Sequence, residues 1–123
     1  MASFLSKLFG RGEKSPGFRL DWDGLQCRPS SGGRKADDWA TIEPILRGME
    51  GGDGHVILGL KEQHYIQAAV GIDGLVVEYR EDNGDHYACV DPLTVQRTID
   101  LFKAFFDDPA SIHEKGRWHK VDL

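Results

Sequence analysis

Two turn dipeptides, Asp73-Gly74 and Asn83-Gly84, constrain this chain more than any other feature. Both interrupt apolar/polar alternation within HYIQAAVGIDGLVVEYREDNGDHYACVDPLTVQRTIDLFKAFF, from His64 to Phe106. Asp-Gly and Asn-Gly accept the positive φ angles that two-residue hairpin turns need. The segment is therefore predicted as three antiparallel strands followed by an amphipathic helix capped at Asp91-Pro92. Counting back from Asp73-Gly74 pairs Ile72 with Leu75, Val70 with Val77 and Ala68 with Tyr79. Counting from Asn83-Gly84 pairs Tyr79 with Ala88 and Val77 with Val90. Both counts set Val77 and Tyr79 on one apolar face, which is predicted to bury against helices.

The opposite face then holds Gln67, Ala69, Val76, Glu78, Arg80, Tyr87 and Cys89. In this register Gln67 opposes Arg80, Ala69 opposes Glu78, and Arg80 opposes Tyr87. The surface is mixed, with the charges of Glu78 and Arg80 at its centre. One reading makes it a partner-binding face anchored by Tyr87 and Arg80. The other makes it a solvated face, or one covered by an N-terminal hairpin. At the 81–86 turn, Asp82 and Asp85 join Glu81 as either a solvated tip or a contact for a basic partner. The alternating ligands and following Glu of a calcium loop are missing there.

The remaining chain adds elements around this unit. Residues 1–10, MASFLSKLFG, suit a short helix capped by Ser3, with Phe4, Leu5, Leu8 and Phe9 on one side. It is read either as a weak membrane- or partner-docking segment or as a terminal helix folded onto its own domain. Residues 1–17 are thus an amphipathic segment with a Gly/Pro/charged linker, and 18–123 are one domain. Phe18, Leu20 and Trp22 alternate into an Asp23-Gly24 turn, which pairs Trp22 with Leu25 and Leu20 with Cys27 in a first hairpin. Residues 28–35, RPSSGGRK, read as a flexible basic loop that lacks the spacing of a phosphate loop. Asp37 to Met49 reads as a helix with Trp39, Ile42, Ile45, Leu46 and Met49 on one face. Pro44 requires that helix to begin near Thr41 or to kink. His55 to Leu60 is an apolar strand, and Asp107 to Leu123 is a tail packing Trp118 and Val121 on the core.

Charge is unevenly distributed. The net −5 comes from 15 Lys/Arg against 20 Asp/Glu. Residues 1–35 carry seven basic and three acidic groups (+4), and 36–123 carry eight and seventeen (−9). An acidic body argues against nucleic acid and suits a basic protein partner. Two cysteines, Cys27 and Cys89, make no disulfide framework, so a reducing cytoplasm is the expected compartment. No apolar run nears the roughly 20 residues of a membrane-spanning helix.

The residues give no support for catalysis. Five histidines (His55, His64, His86, His113, His119) and two cysteines form no zinc spacing and no HExxH. There is no GxSxG, and the predicted register puts Cys89 beside Glu78, which disfavours a thiolate. Neither a metal nor a cofactor is implied, and no catalytic residue is assigned.

The combination YIQAA, VVEYR, HYACVD, FKAFF and RWHKV resembles a group of small bacterial α+β proteins. The resemblance spans roughly 37–120 and rests on Trp39, Tyr65-Ile66-Gln67, Val77-Glu78-Tyr79-Arg80, Tyr87 and Trp118. This group is similar to immunity proteins of polymorphic toxin systems, including those that neutralise deaminase toxins. The resemblance implies a protein that works by occlusion and brings no active-site residues with it. The expectation is an α+β domain: an antiparallel meander of about four strands plus an N-terminal hairpin, with two main helices on one face. Its expected function is non-catalytic binding of a toxin or effector domain, with Gln67, Glu78, Arg80, Tyr87, Asp82 and Asp85 as contacts. The alternative is a structural or adaptor protein docking through its N-terminal helix, with membrane contact confined to residues 1–12.

Overall fold

The computed structural model describes residues 17–23, 31–50, 54–61 and 64–122. They form an α+β fold around one seven-stranded antiparallel sheet of order β2-β1-β3-β4-β5-β6-β7. The strands are β1 (Arg19–Asp23), β2 (Ser31–Lys35), β3 (His55–Lys61), β4 (His64–Val70), β5 (Leu75–Arg80), β6 (His86–Cys89) and β7 (Trp118–Val121). Helix α1 (Trp39–Arg47) joins β2 to β3, while helix α2 (Val95–Asp107) and a 3₁₀ helix (Pro109–Lys115) join β6 to β7. The expected amphipathic helix in 1–10 lies outside the described residues, as do Leu25 and Cys27.

The N-terminal hairpin differs from expectation. Leu20 pairs with Arg34 and Trp22 with Ser31, so RPSSGGRK ends in an edge strand rather than a free loop. Leu20 and Trp22 pair on the other side with Leu58 and Val56 of β3. Glycine-rich polar residues read as a loop by composition, yet an edge strand needs only its backbone groups paired on one side. The tail likewise supplies a full strand, with Cys89 opposite Trp118 and His86 opposite Val121. The meander therefore has one more strand than the sequence indicated.

Helix α1 starts earlier than Pro44 suggested. Asp38 caps it through Oδ1, which accepts the Ala40 N–H at 3.1 Å, and Thr41 N–H closes a tight first turn on the Asp38 carbonyl at 2.9 Å. Pro44 sits inside the helix and cannot donate to the Ala40 carbonyl, but Ala40 is exposed and water can serve it. Helix α2 is capped not by Asp91-Pro92 but by Thr94, whose Oγ1 accepts the Arg97 N–H at 3.0 Å. Such a cap is worth about 1 kcal/mol. Pro109 disfavours helical geometry at Asp108, so α2 stops there and the chain continues as the 3₁₀ helix.

One core takes Ile42, Ile45 and Leu46 of α1 and Ile99, Leu101, Phe102 and Phe105 of α2. It joins them to Leu20, Trp22, Val56, Leu58, Ile66, Ala68, Leu75, Val77 and Tyr79, the alternate residues of the central strands. Full burial of a side chain such as Phe102 or Phe105 contributes about 1.5–3 kcal/mol.

Register decides which side chains face outward, and it departs from the count in two ways. The β4–β5 turn centres on Ile72-Asp73, between Gly71 and Gly74, with Gly71 N–H donating to the Gly74 carbonyl at 2.8 Å. Gly74 adopts φ +144°, and a Cβ there would lie 3.0 Å from the Leu93 carbonyl oxygen, whose segment bridges Leu75. Ala68 consequently faces Val77 and Ile66 faces Tyr79. That slip of two residues preserves both faces. Ile72, expected on the buried face, is instead fully exposed at the tip.

The β5–β6 turn slips by one residue. Gly84 N–H donates to the Glu81 carbonyl and Glu81 N–H to the Asp85 carbonyl, both at 2.8 Å, with Gly84 at φ +97°. This is a three-residue turn with its glycine in the left-handed position, not a two-residue Asn-Gly turn. Tyr79 therefore faces Tyr87, Glu78 faces Ala88 and Arg80 faces His86. An odd slip inverts β6: Tyr87 and Cys89 turn inward, and His86 and Ala88 turn outward.

Candidate functional site

The sheet face turned away from the core is built in rows by the strand register. One row runs Asp21, Ile57, Gln67, Glu78, Ala88, His119, and the next runs Arg19, Gly59, Tyr65, Arg80, His86, Val121. A third contains Asp23, His55, Ala69 and Val76. The buried residues of both described helices cluster with the strand residues of the opposite face. Ala69 and Val76 are exposed, the latter at 44%, and Ile72 stands at the same end of the sheet.

At its centre three polar side chains are fastened together. Gln67 Nε2 donates to Glu78 Oε1 at 3.0 Å, and His86 Nε2 donates to the same oxygen at 2.8 Å. Facing positions bring Gln67 and Glu78 together, while Glu78 and His86 meet diagonally across β5 and β6. His86 is 7% exposed, with its ring edge-on to Tyr65 at 6.4 Å. The carboxylate holds Nε2 as the donor, so Nδ1 is the ring nitrogen left over. Nδ1 is buried and has no hydrogen-bond partner among the described residues. The arrangement holds the carboxylate of Glu78 in one orientation through Oε1, with the side chain 29% exposed.

The expected Glu78–Arg80 charge pair is not formed. Arg80 Nε donates instead to the Gly84 carbonyl at 3.2 Å, bracing the β5–β6 turn. Asp85 pairs with Lys120 at 3.5 Å and takes an Asn83 Oδ1 contact on its backbone N–H at 2.8 Å. Asp82 is exposed at the tip. Thus Gln67, Glu78 and Arg80 share the outward face, and Asp82 and Asp85 lie at its β5–β6 corner.

Tyr87 does not belong with them. It stacks on Tyr79 with ring centroids 5.0 Å apart and planes 14° from parallel, on the core side of the sheet. Cys89 also lies on that side opposite Trp118, so it is not beside Glu78. The residue that takes Tyr87's place is His86. Its signal was present in the sequence: pairing Tyr79 with Tyr87 satisfies aromatic cross-strand stacking, and only a three-residue turn ending at Gly84 permits it.

Tyr79 anchors a second polar contact inside the core. Its hydroxyl is hydrogen-bonded to His113 Nδ1 of the 3₁₀ helix, and the Trp118 ring packs edge-on to it at 4.6 Å. Burial raises the Tyr79 pKa well above the ordinary value, with smaller contributions from the charges of Glu81, Tyr87 and Asp85. His113 and His119, six residues apart, lie on opposite sides of the sheet. No group of three or more His, Cys, Asp or Glu suited to a metal occurs among the described residues. None of the described helices is long and apolar enough to cross a membrane.

No protein-family model, no curated protein and no solved structure matches this chain.

Proposed function

We propose that this chain is a non-catalytic binding domain that occludes a basic toxin or effector domain, in the manner of a bacterial immunity protein. The observation that carries this reading is the outward sheet face. The described helices share one core with the inward strand residues, and the opposite face presents a pre-oriented Glu78 carboxylate beside exposed Ala69 and Val76. Ordering Glu78 before binding removes part of the entropy cost that a partner would otherwise meet. Ile72 and Val76 add apolar area next to the polar centre, the combination that interface anchors use. The −9 balance over residues 36–123 steers a cationic partner toward the domain. The resemblance in the YIQAA and VVEYR strands supports the same reading. Gln67, Glu78 and Arg80 are the proposed contacts, with Asp82 and Asp85 at the margin, and cytoplasmic localisation follows from this role.

Expressing the product of the neighbouring gene with and without this chain tests the proposal. Toxicity that this chain suppresses, together with co-purification of the two proteins, is the expected result. A neighbour harmless when expressed alone would count against an immunity role. A change in cell fractionation on deleting residues 1–12 would favour the adaptor alternative instead.

A further inference from the structure

On the core side of the sheet, away from the proposed docking face, a concavity of about 350 Å³ opens between the end of β6, the first turns of α2 and the end of the 3₁₀ helix. That volume lies within the range of small-ligand sites. Cys89 and Leu93 form its apolar floor, with the fully buried Leu101 beneath them. Its rim is charged, and the balance there is unlike the rest of the body. Arg97, Lys115 and Arg117 face Asp91 and Glu114, a local excess of one positive charge in a region that carries −9 overall.

The individual partnerships sharpen this excess. Asp91 is already neutralised by Arg117, whose Nη1 lies 3.1 Å from its Oδ2. Arg97 Nη2 donates to the Lys115 main-chain carbonyl, a neutral acceptor that holds the guanidinium in place without cancelling its charge. The Lys115 ammonium makes no ion pair among the described residues. Gly116 keeps the wall low: a Cβ there would lie 3.0 Å from the Trp118 ring. Two cations, one of them fixed, thus overlook an apolar floor, opposed only by Glu114.

We propose that this concavity binds a small carboxylate with an apolar body. The apolar body lies on Cys89 and Leu93, and the carboxylate is received by Arg97 and Lys115. A planar guanidinium and a mobile ammonium together favour a carboxylate over a neutral polar group of the same shape. The site is independent of the docking face, which lies on the other side of the sheet.

Cys89 supplies the readout. In a Cys27→Ser variant it is the only thiol, and its alkylation by the neutral reagent N-ethylmaleimide reports access to the floor. Phenylacetate is the probe, with phenylacetamide as its neutral counterpart. A ligand of about ten heavy atoms is expected to bind with Kd on the order of 1 mM. At ten times that concentration, alkylation should slow by about tenfold, following occupancy. Phenylacetamide should protect several-fold less, and Arg97→Gln with Lys115→Gln should remove the difference between the two probes. Equal protection by acid and amide, or none by phenylacetate up to about 50 mM, would overturn the proposal. Should Cys27→Ser fail to fold, amide shift changes at Leu93, Gly116 and Arg117 in the unaltered protein carry the same test: movement of these amides by phenylacetate alone supports the site, and their failure to move refutes it.

Discussion

Removing the partner of the Tyr79 hydroxyl should cost more than removing the hydroxyl itself. Tyr79 has no exposed surface, and its hydroxyl is hydrogen-bonded to His113 Nδ1, whereas His113 is exposed to water. Tyr79→Phe deletes one hydrogen bond and leaves only a ring nitrogen that water can reach, a loss of about 0.5–1.5 kcal/mol. His113→Ala leaves a buried hydroxyl unpaired at about 1–3 kcal/mol. It also removes ring contacts to Tyr79 and Tyr87, with centroids at 6.0 and 4.9 Å. Aromatic contacts of this kind add roughly 0.5–1 kcal/mol. In a Tyr79→Phe background only the ring contacts remain to be lost. The double-mutant cycle should therefore show coupling of about 1–3 kcal/mol, with the double variant more stable than additivity predicts. Urea unfolding of the four proteins, followed by tryptophan fluorescence, measures this directly. Additivity within about 0.3 kcal/mol would refute the assignment of the hydroxyl to His113.

The raised Tyr79 pKa carries a pH dependence of definite sign. The unfolded chain releases this proton near pH 10 and the folded protein only well above it, so the stability it confers is complete below about pH 10 and declines above it by up to about 1.4 kcal/mol per pH unit. Stability curves of the wild type and Tyr79→Phe should converge in slope below pH 9 and diverge above pH 10, with the wild type falling faster. Glu78→Ala leaves the buried His86 Nε2–H unpaired and should cost about 1–3 kcal/mol in denaturant titrations, with Glu78→Gln less damaging. Gly84→Ala places a side chain at φ +97° and should destabilise by about 1 kcal/mol, with amide exchange quickening first around residues 81–86. Thr94→Ala removes the α2 cap and should lower the midpoint of thermal unfolding by roughly 3–5 °C, corresponding to about 1 kcal/mol.

Much of the fold was legible because side-chain alternation survives small errors in pairing. The strands at His55–Lys61, His64–Val70 and Leu75–Arg80 and the helix ending near Asp107 are written in periodicity. The β4–β5 slip of two residues left every face unchanged. The β5–β6 turn was different, since Asn83-Gly84 suits a two-residue turn and the second half of a three-residue turn equally well. That ambiguity exchanged Tyr87 for His86 at the candidate site. Strand β2 was hidden for another reason: an edge strand made of Ser, Gly, Arg and Lys carries no apolar alternation that could mark it. The cap at Thr94 was missed because Asp91-Pro92 offers a stronger local stop, while the Leu93 bridge to Leu75 delays the helix start.

A charge introduced at Val76 tests the proposed role most directly. Val76 is 44% exposed at the apolar corner of the outward face, so Val76→Arg should leave the fold intact. Asp100→Arg, on the exposed side of α2, changes net charge in the same direction and serves as the control. Titration of the neighbouring gene's product should show binding weakened by about 100-fold for Val76→Arg and by only a few-fold for Asp100→Arg. Wild-type affinity in Val76→Arg, with binding lost in Asp100→Arg, would place the partner on the helices and contradict the account.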